Sequence, residues 1–131
     1  MLAERSGLAD LALRQKFDAL FKKLPALIPS RPPALLHGDL WGGNVLSDEQ
    51  GAPCVIDPAV YFGDAEIELS YTKLFGGFGA EFYHAYHEII PTQPQFEDRA
   101  DIYNLYPLLV HLNLFGGHYG QEIKAIVDRF A

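Results

Sequence analysis

Three oxygen-bearing side chains carry the chemistry this sequence could perform: Asp39, Asn44 and Asp57. Four residues separate Asp39 from Asn44, and Asp57 follows Asn44 by thirteen positions. Phosphoryl transfer asks little covalent chemistry of a protein. It needs a carboxylate beside the attacking hydroxyl and hard oxygen ligands for the Mg²⁺ that accompanies the phosphates. A base Asp, four intervening residues, a metal-binding Asn and a second metal-binding Asp further on is the order that a phosphoryl-transfer loop uses. Taken singly, each residue has a plainer role as a helix cap or turn residue. Only the joint pattern points to chemistry. No zinc-type set competes with it, because His84 and His87 are three apart and do not form His-Glu-x-x-His.

Those side chains need elements to bring them together. Val45-Leu46-Ser47 and Pro53-Cys54-Val55-Ile56 flank the polar turn Asp48-Glu49-Gln50-Gly51, which predicts a small β-hairpin. A hairpin leaving at Val45 and returning at Ile56 carries Asp57 back beside Asn44, so that both face one cleft with Asp39. Gly38, Gly42 and Gly43 let the loop turn sharply and let backbone approach a phosphate. Upstream, Leu8, Leu11, Leu13, Phe17, Leu20, Phe21 and Leu24 fall at helical spacing. That helix is expected to end at Pro25, with Pro29, Pro32 and Pro33 forming a stiff loop before the short apolar stretch Ala34–His37. Strand content is expected to stop near Ile56. Helices follow over 67–75, 81–90, 96–115 and 121–130. The third has Ile102, Leu105, Leu108, Leu109, Leu112 and Phe115 on its apolar side and a kink at Pro107.

The predicted fold class is therefore mostly α with one small β-hairpin (α+β). The chain of 131 residues reads as one domain, 1–131: a helix in 1–24, the loop and hairpin in 34–57, and a helical bundle over 65–131. Hydrophobic residues make up 49% and charged residues 21%, ordinary for a globular chain. A net charge of -7 disfavours nucleic acid and anionic membranes. It does not disfavour a nucleotide, whose charge is met by Mg²⁺ and a few local groups. The single cysteine, Cys54, excludes an intrachain disulfide and is expected to be a buried core thiol. No signal-peptide pattern and no bilayer-length apolar run is visible, so the cytoplasm is the expected location.

The motifs also carry a resemblance. His37-Gly38-Asp39 with Asn44, followed by Ile56-Asp57-Pro58-Ala59, resembles the aminoglycoside phosphotransferase and choline kinase group, whose fold is protein-kinase-like. Within that group, His37-Gly38-Asp39-Leu40-Trp41 with Gly43-Asn44 is similar to the fructosamine (ketosamine) kinases. So are Asp57 to Asp64, Leu74-Phe75-Gly76-Gly77-Phe78, and the late Tyr103 to Gly116 segment. The likeness covers the chain from about the Pro-rich loop to its end. It implies that Asp39 is the catalytic base for a sugar hydroxyl, and that Asn44 and Asp57 hold Mg²⁺ on the phosphates of ATP. Trp41 would stack on a sugar or line the acceptor pocket, with a core aromatic as the alternative. His111 and Asn113 interrupt an apolar helix and face either the substrate cleft or a buried polar network. His37 would order the loop, and Glu68 would brace its backbone from behind. Asp64 and Ala65 stand where a His-Arg-like pair is expected in this family, which bears on substrate contacts.

A kinase also needs a Gly-rich loop over the phosphates and a strand lysine paired to a helix glutamate, both ahead of the catalytic loop. The 36 residues before His37 offer neither. The expectation is a C-terminal lobe of a protein-kinase-like fold without its ATP-gripping lobe. Such a chain would have little activity alone and would be prone to self-association through the apolar surface left open. The function implied is ATP- and Mg²⁺-dependent phosphorylation of a sugar hydroxyl on a glycated amine. A related kinase of aminoglycosides, choline or homoserine, and a non-catalytic binding module, remain open alternatives.

Overall fold

The computed structural model describes residues 10–131. Among them are five α-helices, one 3₁₀ turn and two separate two-stranded antiparallel sheets. The elements run α1 (Leu11–Leu27), β1 (Ala34–Leu36), the 3₁₀ turn (Gly42–Asn44), β2 (Val45–Ser47), β3 (Pro53–Val55), β4 (Tyr61–Gly63), α2 (Ala65–Leu74), α3 (Ala80–Ile89), α4 (Phe96–Phe115) and α5 (Tyr119–Phe130). The chain forms two compact units: residues 104–131 with the N-terminal segment through Ser30, and residues 31–103.

In the first unit α1 packs on α5. Asp10 caps α1, its carboxylate accepting from Leu13 N at 2.7 Å. Phe17 and Leu20 on α1, and Ile123, Ile126 and Val127 on α5, are buried, as are Leu108 and Leu112 on α4. Of the helical stripe read from the sequence, Phe17 and Leu20 are buried, Leu13 and Leu24 are half-buried, and Leu11 and Phe21 are exposed; Leu8 lies outside the described residues. Pro25 does not end the helix, which continues to Leu27 and closes with Ile28 N donating to Leu24 O. Proline removes one donor and leaves the carbonyl of Phe21 without its helical partner. Pro25 is exposed and Phe21 is 54% exposed, so water can satisfy that carbonyl.

The second unit is built around α2. β2 and β3 form the expected hairpin, in register Val45↔Val55, Leu46↔Cys54 and Ser47↔Pro53. Asp48 shapes its turn by accepting from Gln50 N and Ala52 N. Strand content does not stop at Ile56. Tyr61–Gly63 returns to pair with β1, Leu36↔Tyr61 and Ala34↔Gly63. Three residues are too few to show a period of two, and their partner lies far upstream, so nothing local announced this strand. Cys54 is exposed rather than buried, because all three residues of β3 are exposed. On a two-stranded ribbon an apolar residue need not mean a core. Leu69 on α2 packs with Phe96 and Ala100 on α4, and Phe82, Tyr83 and Tyr86 of α3 cover that cluster.

Buried charge fixes the start of α2. Asp64 is its N-cap, accepting from Glu66 N at 2.9 Å. Glu66 is 1% exposed, and its carboxylate accepts from Nε and Nη2 of Arg99 at 3.0–3.1 Å. It also meets Arg31 at 2.7 Å and accepts from Gln93 N at 2.8 Å. Glu66 therefore ties the Pro-rich loop, α2 and α4 within this unit. Removing one member of a buried pair strands the other charge. Arg99→Met is expected to lower stability by about 3 kcal/mol in denaturant unfolding, whereas a loss within experimental error would show that the cluster is dispensable.

Tyr103 adds a pH dependence. Its hydroxyl lies 3.3 Å from both Asp64 Oδ2 and Glu66 Oε2. Burial first, then these two carboxylates, raise its pKa well above the ordinary 10.0. The folded state thus holds this proton more tightly than the unfolded chain does. That contribution is complete below pH 10.0 and is lost as pH climbs through the higher folded-state value. Tyr103→Phe should flatten the fall in stability above pH 10.0, measured by denaturation across an alkaline series; an unchanged slope would contradict the assignment.

Candidate active site

The loop after β1 is held from below by one carboxylate. Glu68 on α2 accepts from His37 N at 2.9 Å through Oε2 and from Gly38 N at 2.6 Å through Oε1. Two charge-assisted bonds to successive amides fix the direction of the chain as it enters the loop. The His37 ring continues the frame. Its Nε2 lies 2.9 Å from Ile56 O, and its Nδ1 accepts from Asp39 N at 3.3 Å. The second contact makes Nδ1 the acceptor and Nε2 the donor, so the tautomer follows from the partners.

Gly38 is required here. Its φ is +83°, and a Cβ at this position would lie 2.0 Å from Ala59 O. The Asp57-Pro58-Ala59 segment thus lies directly against the loop, closer than any side chain would permit. Asp57 itself has φ +51°, in the left-handed region that few non-glycine residues occupy. Asp is among the residues that tolerate it.

Asn44 closes the loop. The 3₁₀ turn brings Asn44 N onto Trp41 O at 2.9 Å. The side-chain Nδ2 then donates to Asp39 O at 2.9 Å and to Asp39 Oδ2 at 3.0 Å. Its backbone oxygen accepts from Ile56 N at 3.0 Å, which places Asp57 one residue beyond the junction. Asn44 is buried, Asp39 half-buried and Asp57 exposed. Both contacts with Asp39 use the Asn44 side-chain nitrogen, so neither requires its Oδ1. Among the described residues no donor reaches the carboxylate of Asp57. One amide oxygen and one carboxylate make a hard-donor pair of the kind that Mg²⁺ accepts. Among the described residues no group of three or more His, Cys, Asp or Glu is placed to hold a metal, so any cation here would complete its shell from phosphate and water.

Trp41 is 41% exposed, and its ring covers Gly43, where a Cβ would lie 2.4 Å from the indole. It is a surface aromatic at the rim of the loop. His111 and Asn113 belong to the other unit. Both side chains turn back to α4 itself: His111 Nδ1 lies 2.8 Å from Pro107 O, and Asn113 Nδ2 donates to Leu109 O at 2.7 Å. The His111 ring also packs on Phe115 and Tyr119. The structure thus joins Asp39 and Asn44 directly, ties His37 and Glu68 to the same loop, and lays the Asp57 segment against it.

The sequence reading missed Tyr71, whose hydroxyl donates to Asp39 Oδ1 at 2.8 Å. The signal was present: Tyr71 stands three residues after Glu68, on the same face of α2. Burial, followed by the hydrogen bond and charge of Asp39, raises its pKa above the ordinary 10.0.

The fold is that of a known class. Among solved structures, an assigned fructosamine-3-kinase from Thermobifida fusca superposes with TM-score 0.87 at 32% identity, over 97% of this chain and 44% of that one. A Mus musculus protein named ketosamine-3-kinase is 48% identical over 121 residues, 91% of this chain and 38% of its own length. A chloroplastic protein-ribulosamine 3-kinase of Oryza sativa subsp. indica is 42% identical over 132 residues, 99% of this chain and 38% of its own length. The family profile of the fructosamine kinases matches residues 2–131, and the chain belongs to that family. It spans less than half the length of each of these relatives.

Glu68→Gln keeps the size of the side chain but replaces one acceptor oxygen with a donor that faces an N–H. Amide hydrogen exchange at His37 and Gly38 should accelerate at least about tenfold, corresponding to roughly 1.4 kcal/mol of lost local protection. Unchanged exchange at both amides would mean that the loop does not depend on this carboxylate.

Proposed function

We propose that this chain is the acceptor and metal-binding half of a kinase that phosphorylates a sugar hydroxyl on a ketosamine, with ATP as donor. The observation that carries the reading is the Asp39 carboxylate, clamped by the Asn44 amide while the Asp57 segment lies against the same loop. Family membership supports ketosamines as the acceptor class.

In this account Asp39 accepts the proton of the attacking hydroxyl as its oxygen bonds to the γ-phosphorus. The bond from that phosphorus to the bridging oxygen breaks, and ADP leaves. Asn44 has two tasks, since its Nδ2 orients Asp39 while its Oδ1 is left for a cation. Asp57 would be the second protein ligand. Bound Mg²⁺ would neutralise charge developing on the phosphates. Trp41, exposed beside the loop, offers a flat apolar face to a sugar ring. His111 and Asn113, proposed from sequence as acceptor contacts, lie in the other unit with His111 Nδ1 on Pro107 O and Asn113 Nδ2 on Leu109 O, and the acceptor site proposed here does not draw on them.

The described residues form helices and short ribbons, which fits a C-terminal lobe of a protein-kinase-like fold. The ATP-gripping elements would belong to the part of the relatives that this chain does not span. Turnover by these residues alone should be low. The cross-strand pair Leu35 and Phe62, 64% and 72% exposed, supports self-association of the isolated chain through its β1–β4 ribbon. Among the described residues no helix is long and apolar enough to cross a membrane. With a single cysteine, the cytoplasm is the compartment we propose.

Calorimetry with ATP in the presence and absence of Mg²⁺ tests the reading. Binding should require Mg²⁺ and weaken at least about tenfold in Asp57→Asn, since one charged ligand is lost. Equal binding by both proteins, or binding indifferent to Mg²⁺, would sink the assignment of Asp57.

A further inference from the structure

α2 presents two residues of one face to the loop. Glu68 takes the backbone amides of His37 and Gly38, and Tyr71, three positions on, reaches the side chain of Asp39. The two oxygens of Asp39 are therefore engaged by different donors: Oδ1 by the Tyr71 hydroxyl at 2.8 Å, and Oδ2 by Asn44 Nδ2 at 3.0 Å. Turning the carboxylate about its own axis would break both bonds. Asn44 alone would hold only one of the two oxygens, because its other contact is to the backbone oxygen of Asp39. The phenol is itself held in place, with its ring edge-on to Phe75 at 5.6 Å.

We propose that Tyr71 is a positioning residue which fixes the orientation of the Asp39 carboxylate. This rests on the reading of Asp39 as the proton acceptor in phosphoryl transfer. A carboxylate has about four lone-pair sites. Tyr71 and Asn44 occupy one on each oxygen, which leaves one on each for an incoming hydroxyl. Fixing the plane decides where those sites point, and such orientation is a large part of what a transfer reaction needs from its base. A phenol is protonated, and so a donor, through the neutral range even at its ordinary pKa of 10.0, and burial together with Asp39 raises it further.

The test uses the 131-residue chain and the substitution Tyr71→Phe, which removes one oxygen and retains the ring contact with Phe75. Three-bond NMR couplings and carboxyl-carbon relaxation at Asp39 report rotamer occupancy and mobility. The wild type should show one side-chain rotamer with a restricted carboxylate. Tyr71→Phe should show averaged couplings and a mobile carboxylate, with a melting temperature close to wild type. As the reciprocal check, Asp39→Asn should move the Tyr71 ring titration, followed at its ζ carbon, down by about one pH unit. Restricted Asp39 couplings in Tyr71→Phe, or an unmoved Tyr71 titration in Asp39→Asn, would overturn the proposal.

These outcomes separate from those of the kinase reading. If the couplings respond while ATP binding is indifferent to Mg²⁺ or to Asp57→Asn, Tyr71 still positions Asp39 and the kinase reading is what falls. If Mg²⁺–ATP binds and the couplings do not respond, the kinase reading survives and the role of Tyr71 is lost.

Discussion

The site depends on one carboxylate that is not expected to touch a reactant. Glu68 accepts from two consecutive loop amides, and those bonds set where the chain goes as it reaches Asp39. An acid can do this only if its own helix cannot shift. α2 is secured at its start by the Asp64 cap and by Glu66, buried between two arginines, and in its middle by Leu69 within the aromatic cluster. The polar groups near the loop thus form a chain of dependence: a sealed ion cluster fixes a helix, the helix fixes a backbone, and the backbone presents Asp39. A buried ion pair is weak evidence for net stability, since desolvation offsets much of its attraction. Its clearer effect here is geometric, because Glu66 reaches Gln93 and both arginines at once.

Much of this was legible in the sequence, for identifiable reasons. The hairpin between Asn44 and Asp57 was readable because its turn residues and apolar flanks are local. The helices were readable where their apolar stripe repeats over several turns, as from Phe96 to Leu112. β4 was not, because a three-residue strand carries no period and its partner β1 lies on the other side of the loop. Pro25 misled, because the rule that proline ends a helix assumes a carbonyl that water cannot reach. Cys54 misled for a related reason: an apolar run implies burial only when another layer covers it.

The site divides in the same way. Asp39, Asn44 and Asp57 were visible as a spacing, and Glu68 as an acid early in a helix. Tyr71 was not singled out, although its distance from Glu68 put it on the same face. The contacts of Arg31 and Arg99 with Glu66 are pairings between residues 35 and 33 positions apart, with no local pattern to announce them. Such pairings appear only when the chain is folded. His111 and Asn113 could be located on α4 from sequence, but not that His111 Nδ1 and Asn113 Nδ2 would bond to carbonyls of the helix itself.

The central claim is that Asn44 and Asp57 face one cation-sized space beside Asp39. Paramagnetic broadening by Mn²⁺, added at substoichiometric amounts with ATP, tests it most directly. The account predicts that the Asn44 side-chain amide and the backbone amides of Asp57 and Asp39 broaden first. Broadening that begins instead at the exposed acids Asp48, Glu49 or Glu97, with the loop unaffected, would contradict it.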